Sequence, residues 1–307
     1  MSVNRQQDLP ACARHPDRPT GLRCVRCERP ACPDCLREAS VGYQCVDCVA
    51  EGNKTVRPAR NTGGARTRAG ARPLVIVPVL IGLNVLVFAI TALQAGSITE
   101  NQNSDVFVQG TLIPGSVAAG EYWRLLVSGF LHAGNYGGYG PVHLVFNMFA
   151  LWVIGRDLEV ALGRVRFVVV YLMSLIGGSA AVMLFGDPMG SVVGASGAIY
   201  GLFGGIAVVV FRAKLNPTPV LMLLGVNVFL SIALPGISLL GHLGGLVIGA
   251  LTTAALVYAP KQNLLRFQVV TCTAIAVLLV ALLVTSASTM GVHCEITSTE
   301  LYSCFQV

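Results

Sequence analysis

Charged side chains are scarce in this sequence. Asp, Glu, Lys and Arg make up 12% of its 307 residues, about half of the share that soluble domains carry. Hydrophobic residues make up 54%, which excludes a disordered chain and argues against a single soluble core. The composition therefore predicts an all-α polytopic membrane protein, whose chain crosses a membrane several times.

The first 70 residues lack an apolar core segment, so we expect no secretory signal peptide. They are polar and basic, and they hold seven of the ten cysteines, all between residues 12 and 48. Residues 53–73 are rich in Arg, Gly, Ala and Thr and show no apolar periodicity. We therefore predict a small cysteine-rich domain at 1–52 and a flexible basic linker at 53–73 that lies against an anionic inner leaflet.

Apolar runs dominate the remaining sequence. About 20 apolar residues are needed to cross a bilayer as a helix. Seven runs approach that length: 74–93, 142–160, 167–185, 192–211, 219–235, 237–258 and 268–287. The second and the fifth are the weakest candidates for a span. We predict seven transmembrane helices. We expect the segment 94–141, which contains Trp123 and Arg124, to fold back at the outer surface.

Basic residues are distributed unevenly between the two sides that these spans define. With a cytoplasmic N-terminus, twelve Lys and Arg residues between 57 and 266 fall on inner connections, and one, Arg124, falls on an outer segment. This asymmetry follows the positive-inside rule. We therefore predict a multi-pass plasma-membrane protein with a cytoplasmic N-terminus and an extracytoplasmic C-terminus. Cys294 and Cys304 would then lie outside the cytoplasm, where a disulfide between them is favoured.

Side chains of the types that bind metals form four pairs in the N-terminal domain, each with two residues between its members. The pairs are Cys12 and His15, Cys24 and Cys27, Cys32 and Cys35, and Cys45 and Cys48. Zinc prefers four thiolate or imidazole ligands, so eight such residues predict two structural zinc ions. A disulfide scaffold is disfavoured because seven cysteines is an odd number and a cytosolic domain is kept reduced. A redox role lacks the βαβ context that it needs.

This pattern resembles a B-box-type zinc finger. The resemblance implies that ligand pairs alternate, first with third and second with fourth. The two ligand sets would be Cys12, His15, Cys32 and Cys35, and Cys24, Cys27, Cys45 and Cys48. The sequence by itself leaves sequential pairing open. Such domains usually bind proteins, so we expect a cytosolic protein partner. We interpret Arg23, Arg26 and Arg29 as a solvated basic face and expect no nucleic-acid partner.

Three polar side chains are predicted to reach one depth in the membrane. Asn147, Ser196 and His242 lie four or five residues inside runs that start at the outer surface, which places each about 6–8 Å below that boundary. Intramembrane polar residues are costly and are therefore candidates for function. A histidine can activate a serine as a nucleophile. Because no intramembrane Asp or Glu is available to orient the histidine, we predict a dyad of Ser196 and His242. Candidate donors to an oxyanion are His143, Asn147 and the backbone N–H of Ser196.

Glycines repeat at every fourth residue beside Ser196 and His242. They are Gly197, Gly201 and Gly205 in one run, and Gly241, Gly245 and Gly249 in the other. Small residues at this spacing let two membrane helices approach closely, as a Ser–His hydrogen bond requires. The alternative is plain helix packing with the two polar residues as contacts between helices. That alternative accounts for either residue alone better than for the whole set.

Together these motifs resemble the rhomboid intramembrane serine proteases over roughly residues 73–260. The matching residues are Tyr122-Trp123-Arg124, His143 and Asn147, Gly155-Arg156-Asp157-Leu158-Glu159 with Gly163, Gly194-Ala195-Ser196-Gly197, Tyr200, and His242 with Gly244-Gly245. The resemblance implies a six-helix protease core at 74–260. It leaves 261–307 as an extra transmembrane helix with an extracytoplasmic tail.

The resemblance also implies roles for these residues. Ser196 would be the nucleophile and His242 the general base, with Tyr200 stacked on His242. His143 and Asn147 would stabilise the oxyanion. At other sites, Trp123 and Arg124 would anchor the outer loop, and Arg156 would be able to pair with Glu159 at a cytoplasmic helix end. Hydrolysis would need no cofactor.

Substrates would be other transmembrane proteins that enter sideways from the lipid bilayer. Run five is short and contains Gly225, Asn227 and Pro235, so it is the candidate gate. The loop between His132 and His143 is longer than is usual in the family, and we interpret His132 as structural rather than catalytic. Two other classes remain open: an inactive rhomboid-like protein that binds membrane proteins, with the zinc domain as an interaction module, and a transporter. A transporter would need broken helices near the midplane.

Overall fold

A computed structural model describes residues 9–55, 74–135, 141–234, 236–290, 292–297 and 301–306. The chain divides into two compact units, Met1–Ala59 and Arg60–Val307, which we call the N-terminal unit and the membrane unit. The finer boundaries at residues 52, 73 and 260 stay predictions. Each unit is described by itself.

The N-terminal unit is built around its cysteines. A single turn of 3₁₀ helix at Pro33–Cys35 leads into the antiparallel strands β1 (Leu36–Glu38) and β2 (Tyr43–Cys45), which are followed by helix α1 (Val46–Thr55). Six cysteines are buried together with Ala31 and Leu36. So small an apolar core is not expected to hold a fold without a metal, because the buried side chains are themselves the candidate ligands.

The membrane unit is mostly helical. Its α-helices, in chain order, are α2 (Ile76–Ala95), α3 (Asp105–Gly110), α4 (Pro114–Ala118), α5 (Arg124–Val127), α6 (Val142–Ala150), α7 (Arg156–Leu162), α8 (Arg164–Phe185), α9 (Ser196–Arg212), α10 (Thr218–Ala233), α11 (Leu239–Val257) and α12 (Leu264–Thr289). A π-helical turn at Leu151–Gly155 joins α6 to α7. Short 3₁₀ helices lie at Asn101–Asn103, Ser128–Phe130 and Lys261–Asn263.

A helical segment lies at each of the seven apolar runs. Four helical segments are long and apolar enough to cross a membrane: Ile76–Ala95, Arg164–Phe185, Leu239–Val257 and Lys261–Thr289. The helices α9 and α10 are apolar but shorter. The all-α polytopic fold is therefore confirmed, whereas seven complete spans stay a prediction. Pro235, at the end of run five, lies outside the described residues.

The segment that follows α2 contains only short helices in its described part, 96–135. Arg124 is buried there, and its guanidinium donates to the carbonyl oxygens of Val108 and Thr111, each at 2.7 Å. The indole N–H of Trp123 donates to the carbonyl of Gln109 at 2.9 Å. Trp123 and Arg124 thus anchor this segment, as the family resemblance implies.

Glu159 fixes the start of the first long membrane helix. Its carboxylate accepts hydrogen bonds from the backbone N–H groups of Val75, Ile76 and Val77 at 3.0–3.2 Å. The predicted pairing of Arg156 with Glu159 is therefore wrong, and Arg156 pairs with Asp157 at 3.2 Å instead. The reason is that a helix N-terminus exposes N–H groups without intrahelical partners, and the buried carboxylate satisfies three of them.

The helices α9 and α11 pack closely through their glycine faces. A Cβ atom added to Gly245 would overlap the carbonyl oxygen of Gly197 on the facing helix. Only a glycine permits this approach, because any side chain would push the two backbones apart. The contact that the glycine spacing predicts is therefore present in the structure.

The chain ends in an antiparallel pair, β3 (Val292–Thr297) and β4 (Leu301–Gln306). Their backbone register places Cys294 opposite Cys304. The disulfide between these two residues stays a prediction.

Candidate active site and metal clusters

Ser196 and His242 meet where α9 and α11 begin. Ser196 is the first residue of α9, and His242 lies in the first turn of α11, whose preceding residue, Ser238, accepts a hydrogen bond from the N–H of Gly241. The Oγ atom of Ser196 lies 2.7 Å from Nε2 of His242. A hydroxyl within hydrogen-bond reach of an imidazole is the arrangement that activates a serine as a nucleophile.

The face and the second nitrogen of the His242 ring also have partners. The ring of Tyr200 stacks on the His242 ring with centroids 4.0 Å apart and an angle of 13° between the planes, as the resemblance implies. The Nδ1 atom of His242 lies 2.8 Å from Oγ of Ser231 on α10. The same Oγ lies 2.6 Å from the hydroxyl of Tyr200 and donates to the carbonyl of Asn227 at 2.8 Å.

His143 and Asn147 lie on α6 and line one cavity with Ser196 and His242. The cavity has a volume of about 540 Å³, and most of its other lining residues are apolar. The amide nitrogen of Asn147 donates to the carbonyl of His143 at 2.9 Å, one helical turn earlier. The structure thus brings all four predicted site residues of the membrane unit together.

The loop before Ser196 is held in place by the segment that follows α2. Val192 and Leu112 exchange two backbone hydrogen bonds, and the N–H of Gly194 donates to the carbonyl of Ser128 at 2.9 Å. Because α9 begins at Ser196, the N–H groups of its first turn have no carbonyl within the helix to bind. Such groups can donate to an anion placed at the helix end.

His132 lies beside this site without contacting Ser196. Its ring is buried, with its centroid 5.1 Å from that of His143. The side chain of Asn101 holds the surrounding loop, because its amide donates to the carbonyl of His132 at 2.8 Å and its oxygen accepts from the N–H of Gly134 at 2.6 Å. His132 therefore packs beside His143, and its structural role stays a prediction.

The candidate metal ligands form two separate clusters in the N-terminal unit. One contains Cys12, His15, Cys32 and Cys35, and the other contains Cys24, Cys27, Cys45 and Cys48; within each, one ligand atom per residue lies within 4.8 Å of all the others. This is the alternating grouping that the resemblance to a B-box finger implies. Sequential pairing is not what the fold adopts.

The spacing inside the clusters fits a tetrahedral ion. Nδ1 of His15 lies 3.4 Å from Sγ of Cys32 and 3.3 Å from Sγ of Cys35, and the Sγ atoms of Cys27 and Cys45 are 3.7 Å apart. Tetrahedral Zn–S bonds of about 2.3 Å imply sulfur separations of about 3.8 Å. Both donor sets, one with three sulfurs and a nitrogen and one with four sulfurs, are of the types found in structural zinc sites.

The thiols of one cluster differ in acidity. The backbone N–H of Cys32 holds the pKa of the Cys12 thiol at about 6. Burial and the neighbouring thiols raise the pKa of the Cys35 thiol to about 11. A bound cation would favour the thiolate form of all these residues, because only thiolates ligate a metal strongly.

The sequence does not predict the contacts of three residues: two near the site, Ser231 and Asn101, and Glu159 at the start of α2. Ser231 is one polar residue in an apolar run, and its position eleven residues before His242 gives no sign of contact. Asn101 lies in a polar loop where asparagine is common. Glu159 belongs to the motif that resembles the rhomboid family, but its partners are backbone N–H groups of α2 and not Arg156. For Ser231 the usable signal was its polarity, since a hydroxyl inside a membrane helix needs a partner.

The fold and the site together define a polytopic helical membrane protein with a serine–histidine pair at the ends of two closely packed helices. A family model of the rhomboid domain matches residues 119–259. The rhomboid protease GluP of Bacillus subtilis (strain 168) is 34% identical over 209 residues, which cover 66% of this chain and 38% of GluP. The rhomboid YdcA of the same organism is 38% identical over 141 residues, 44% of this chain and 67% of YdcA.

A third relative, the rhomboid protease AarA of Providencia stuartii, is 28% identical over 248 residues, 72% of this chain and 84% of AarA. The chain therefore belongs to the rhomboid family of intramembrane proteases. The part of GluP that this chain matches is well under half of the length of GluP.

Proposed function

We propose that this protein is a serine endopeptidase that hydrolyses peptide bonds in or near the transmembrane segments of other membrane proteins. The observation that carries this proposal is the 2.7 Å distance between Oγ of Ser196 and Nε2 of His242. In this proposal Ser196 is the nucleophile and His242 is the general base. The relatives named as rhomboid proteases support the same reaction class.

Acylation begins when Oγ of Ser196 attacks the carbonyl carbon of the scissile bond. Its proton passes to Nε2 of His242, and the carbonyl oxygen becomes an oxyanion. The tetrahedral intermediate collapses when the C–N bond breaks and the leaving amine takes the proton from His242. A water molecule then gives a proton to His242 and attacks the acyl carbon. When the C–Oγ bond breaks, the acid leaves and His242 returns the proton to Oγ of Ser196.

The oxyanion would be stabilised by donors that surround Ser196. The ring of His143 lies beside the backbone of Gly194, and Asn147 lines the same cavity. The backbone N–H of Ser196, at the start of α9, is a third donor. Fixed donors aimed at developing charge account for much of the rate enhancement in acyl transfer.

Substrates would reach this site from within the bilayer. A polar site only a few ångströms below the outer boundary lets water enter, whereas the membrane core excludes it. Small or helix-breaking residues near the outer end of a substrate span would aid cleavage, since a helical peptide bond is shielded. We place the N-terminus in the cytoplasm and the site near the outer face of the plasma membrane, following the positive-inside distribution of basic residues.

The two clusters of the N-terminal unit would each hold one structural Zn²⁺. Hydrolysis at Ser196 needs no metal. The zinc-bound unit would bind a cytosolic protein. Its eight ligand residues would supply the fold with stability that its small apolar core does not.

The experiment that tests this proposal measures cleavage of a fluorescent model transmembrane substrate by the purified protein in lipid. Wild type should cut, while Ser196→Ala and His242→Ala should lose at least about a thousandfold in rate. Ser288→Ala on α12 is a matched serine control and should retain full activity. Cleavage by Ser196→Ala at the wild-type rate would refute the proposal. Binding of the substrate without cleavage by wild type would favour an inactive rhomboid-like binding protein.

A further inference from the structure

We propose that Ser231 on α10 is a positioning residue that fixes the protonation state of His242 as a general base. The inference rests on the proposed function and adds a third residue to the predicted dyad. Ser231 occupies the place that an aspartate fills in other serine proteases, on the side of the imidazole away from the nucleophile.

The hydrogen bonds around Ser231 determine where the proton of His242 lies. A hydroxyl has one proton to donate and two lone pairs to accept with. A carbonyl oxygen can only accept, so Ser231 is the donor in its 2.8 Å contact with the carbonyl of Asn227, and we assign its proton to that bond. With this assignment, Nδ1 of His242 carries a proton and donates it in the 2.8 Å contact with Oγ of Ser231.

This assignment leaves the other ring nitrogen free of a proton. In a neutral imidazole only one nitrogen carries a proton, so Nε2 must be the acceptor. Nε2 is the atom that lies 2.7 Å from Oγ of Ser196. Ser231 thus selects the tautomer that can take the proton of Ser196, and the opposite tautomer would present an N–H to the nucleophile.

Tyr200 completes the network. Its hydroxyl lies 2.6 Å from Oγ of Ser231 and donates to the remaining lone pair, while its ring stacks on His242. All hydrogen-bonding capacity of Ser231 is then used. Ser231, Tyr200 and His242 are each buried, so water has little access to compete for these partners.

The place of Ser231 on α10 is unusual. Among the 16 residues of this helix, all of which the structure describes, Ser231 is the one that is buried. The nucleophile and the base belong to α9 and α11, whereas the group that orients the base belongs to a helix that otherwise contributes exposed or half-buried side chains. The position of α10 therefore influences which tautomer of His242 is present.

The kinetic test compares two substitutions of Ser231 in the full-length protein in lipid. Ser231→Ala should lower kcat about 10- to 100-fold, because one hydrogen bond to a group that becomes charged is lost, and should change KM less than about twofold. Ser231→Thr keeps the hydroxyl and should restore most of kcat. The control is Ser174→Ala, which removes a buried serine that bonds the carbonyl one turn earlier on α8 and should stay within about twofold of wild type.

Two kinetic results would overturn the inference. One is a kcat of Ser231→Ala within about twofold of wild type. The other is an equal loss in Ser231→Ala and Ser174→Ala, which would show a general effect of removing a buried hydroxyl. Thermal unfolding of each variant identifies one that fails to fold.

A measurement that needs no activity separates this inference from the proposed function. In protein labelled with ¹⁵N-histidine, NMR distinguishes the two neutral tautomers, and the signal of His242 is the one missing from His242→Asn. Wild type should show His242 with its proton on Nδ1, and Ser231→Ala should show a mixture of tautomers. A proton on Nε2 in wild type would refute the role of Ser231 even if the protein cleaves its substrate. The expected tautomer would support it even if no cleavage is found.

Discussion

Gly194, two residues before the proposed nucleophile, occupies a position that only glycine fits. Its backbone φ is +124°, which residues with a side chain rarely adopt. A Cβ atom at this position would also lie 2.9 Å from Nε2 of His143 and 3.7 Å from Oγ of Ser196. The space beside the backbone of Gly194 is thus part of the site itself.

Gly194→Ala is therefore expected to lower cleavage at least about 100-fold, because displacing a catalytic group by about 1 Å has an effect of that size. Gly120→Ala is the matched control, since Gly120 has a φ of +109° but nothing within 4 Å of an added Cβ. The control should lose about 1–3 kcal/mol of stability and keep its activity once folded. Equal activity losses in the two variants would show that backbone strain alone, and not the contact with His143, is responsible.

Sequence patterns identify two of the residues around the proposed nucleophile and miss a third. Ser196 and His242 were identifiable because glycine spacing, depth and a known motif agreed on them. Ser231 was not identifiable from the sequence, because its contact with His242 depends on how α10 and α11 are joined and packed. Hydrogen bonds between residues on different helices are set by tertiary geometry, which no local pattern encodes.

At the scale of elements, the start of α2 depends on one carboxylate. Glu159→Gln should lower the stability of the membrane unit by about 1–3 kcal/mol, because the charge that faces three N–H groups at a helix N-terminus is removed. The control is Asp157→Asn, which removes the exposed partner of Arg156 and should change stability by less than about 1 kcal/mol. Thermal unfolding in detergent compares them, and equal unfolding temperatures would contradict the capping role.

The packing of α9 on α11 can be tested by substituting a glycine at the contact and measuring stability and cleavage. Gly245→Ala would place a methyl group against the backbone of Gly197, so the helices should separate and the hydrogen bond of Ser196 with His242 should weaken. We expect a loss of about 1–3 kcal/mol in stability together with most of the cleavage activity. Gly82→Ala on α2 has open space around the added Cβ and should alter neither the stability nor the cleavage activity. Full activity in Gly245→Ala would mean that close approach is not needed.

On the scale of the whole molecule, the N-terminal unit should require metal while the membrane unit should not. We expect about two zinc ions per chain by elemental analysis, at one per ligand set. A chelator should unfold the N-terminal unit and leave cleavage in lipid unchanged. Cys35→Ser should lose one ion, and Cys272→Ser, on α12, should lose none. Loss of cleavage on chelation, with the membrane unit still folded, would contradict this separation.

Metal loading should also depend on pH with a defined sign. The pKa of the Cys12 thiol is lowered to about 6, so this ligand stays a thiolate at neutral pH and binds a proton as the pH falls through that value. Protons then compete with the metal. The zinc content should therefore drop between neutral pH and about pH 5, and unchanged content over that range would contradict the assignment of these ligands.

Much of the architecture followed from the sequence. Apolar runs predicted the positions of the helices because membrane helices must be long and apolar, and paired spacing predicted the metal ligands because a tight turn directs two side chains to one ion. The partner of Glu159 was predicted wrongly, because the family resemblance suggested a pairing with Arg156 at a helix end. The structure instead uses this carboxylate for a helix more than eighty residues earlier in the chain.

The activation of Ser196 by His242 can be measured by covalent labelling with a fluorophosphonate, followed by mass spectrometry of the modified peptide. Wild type should be labelled at Ser196, Ser196→Ala should not be labelled, and His242→Ala should be labelled at least about a hundredfold more slowly. Labelling of His242→Ala at the wild-type rate, or labelling of wild type at a serine other than Ser196, would contradict this activation.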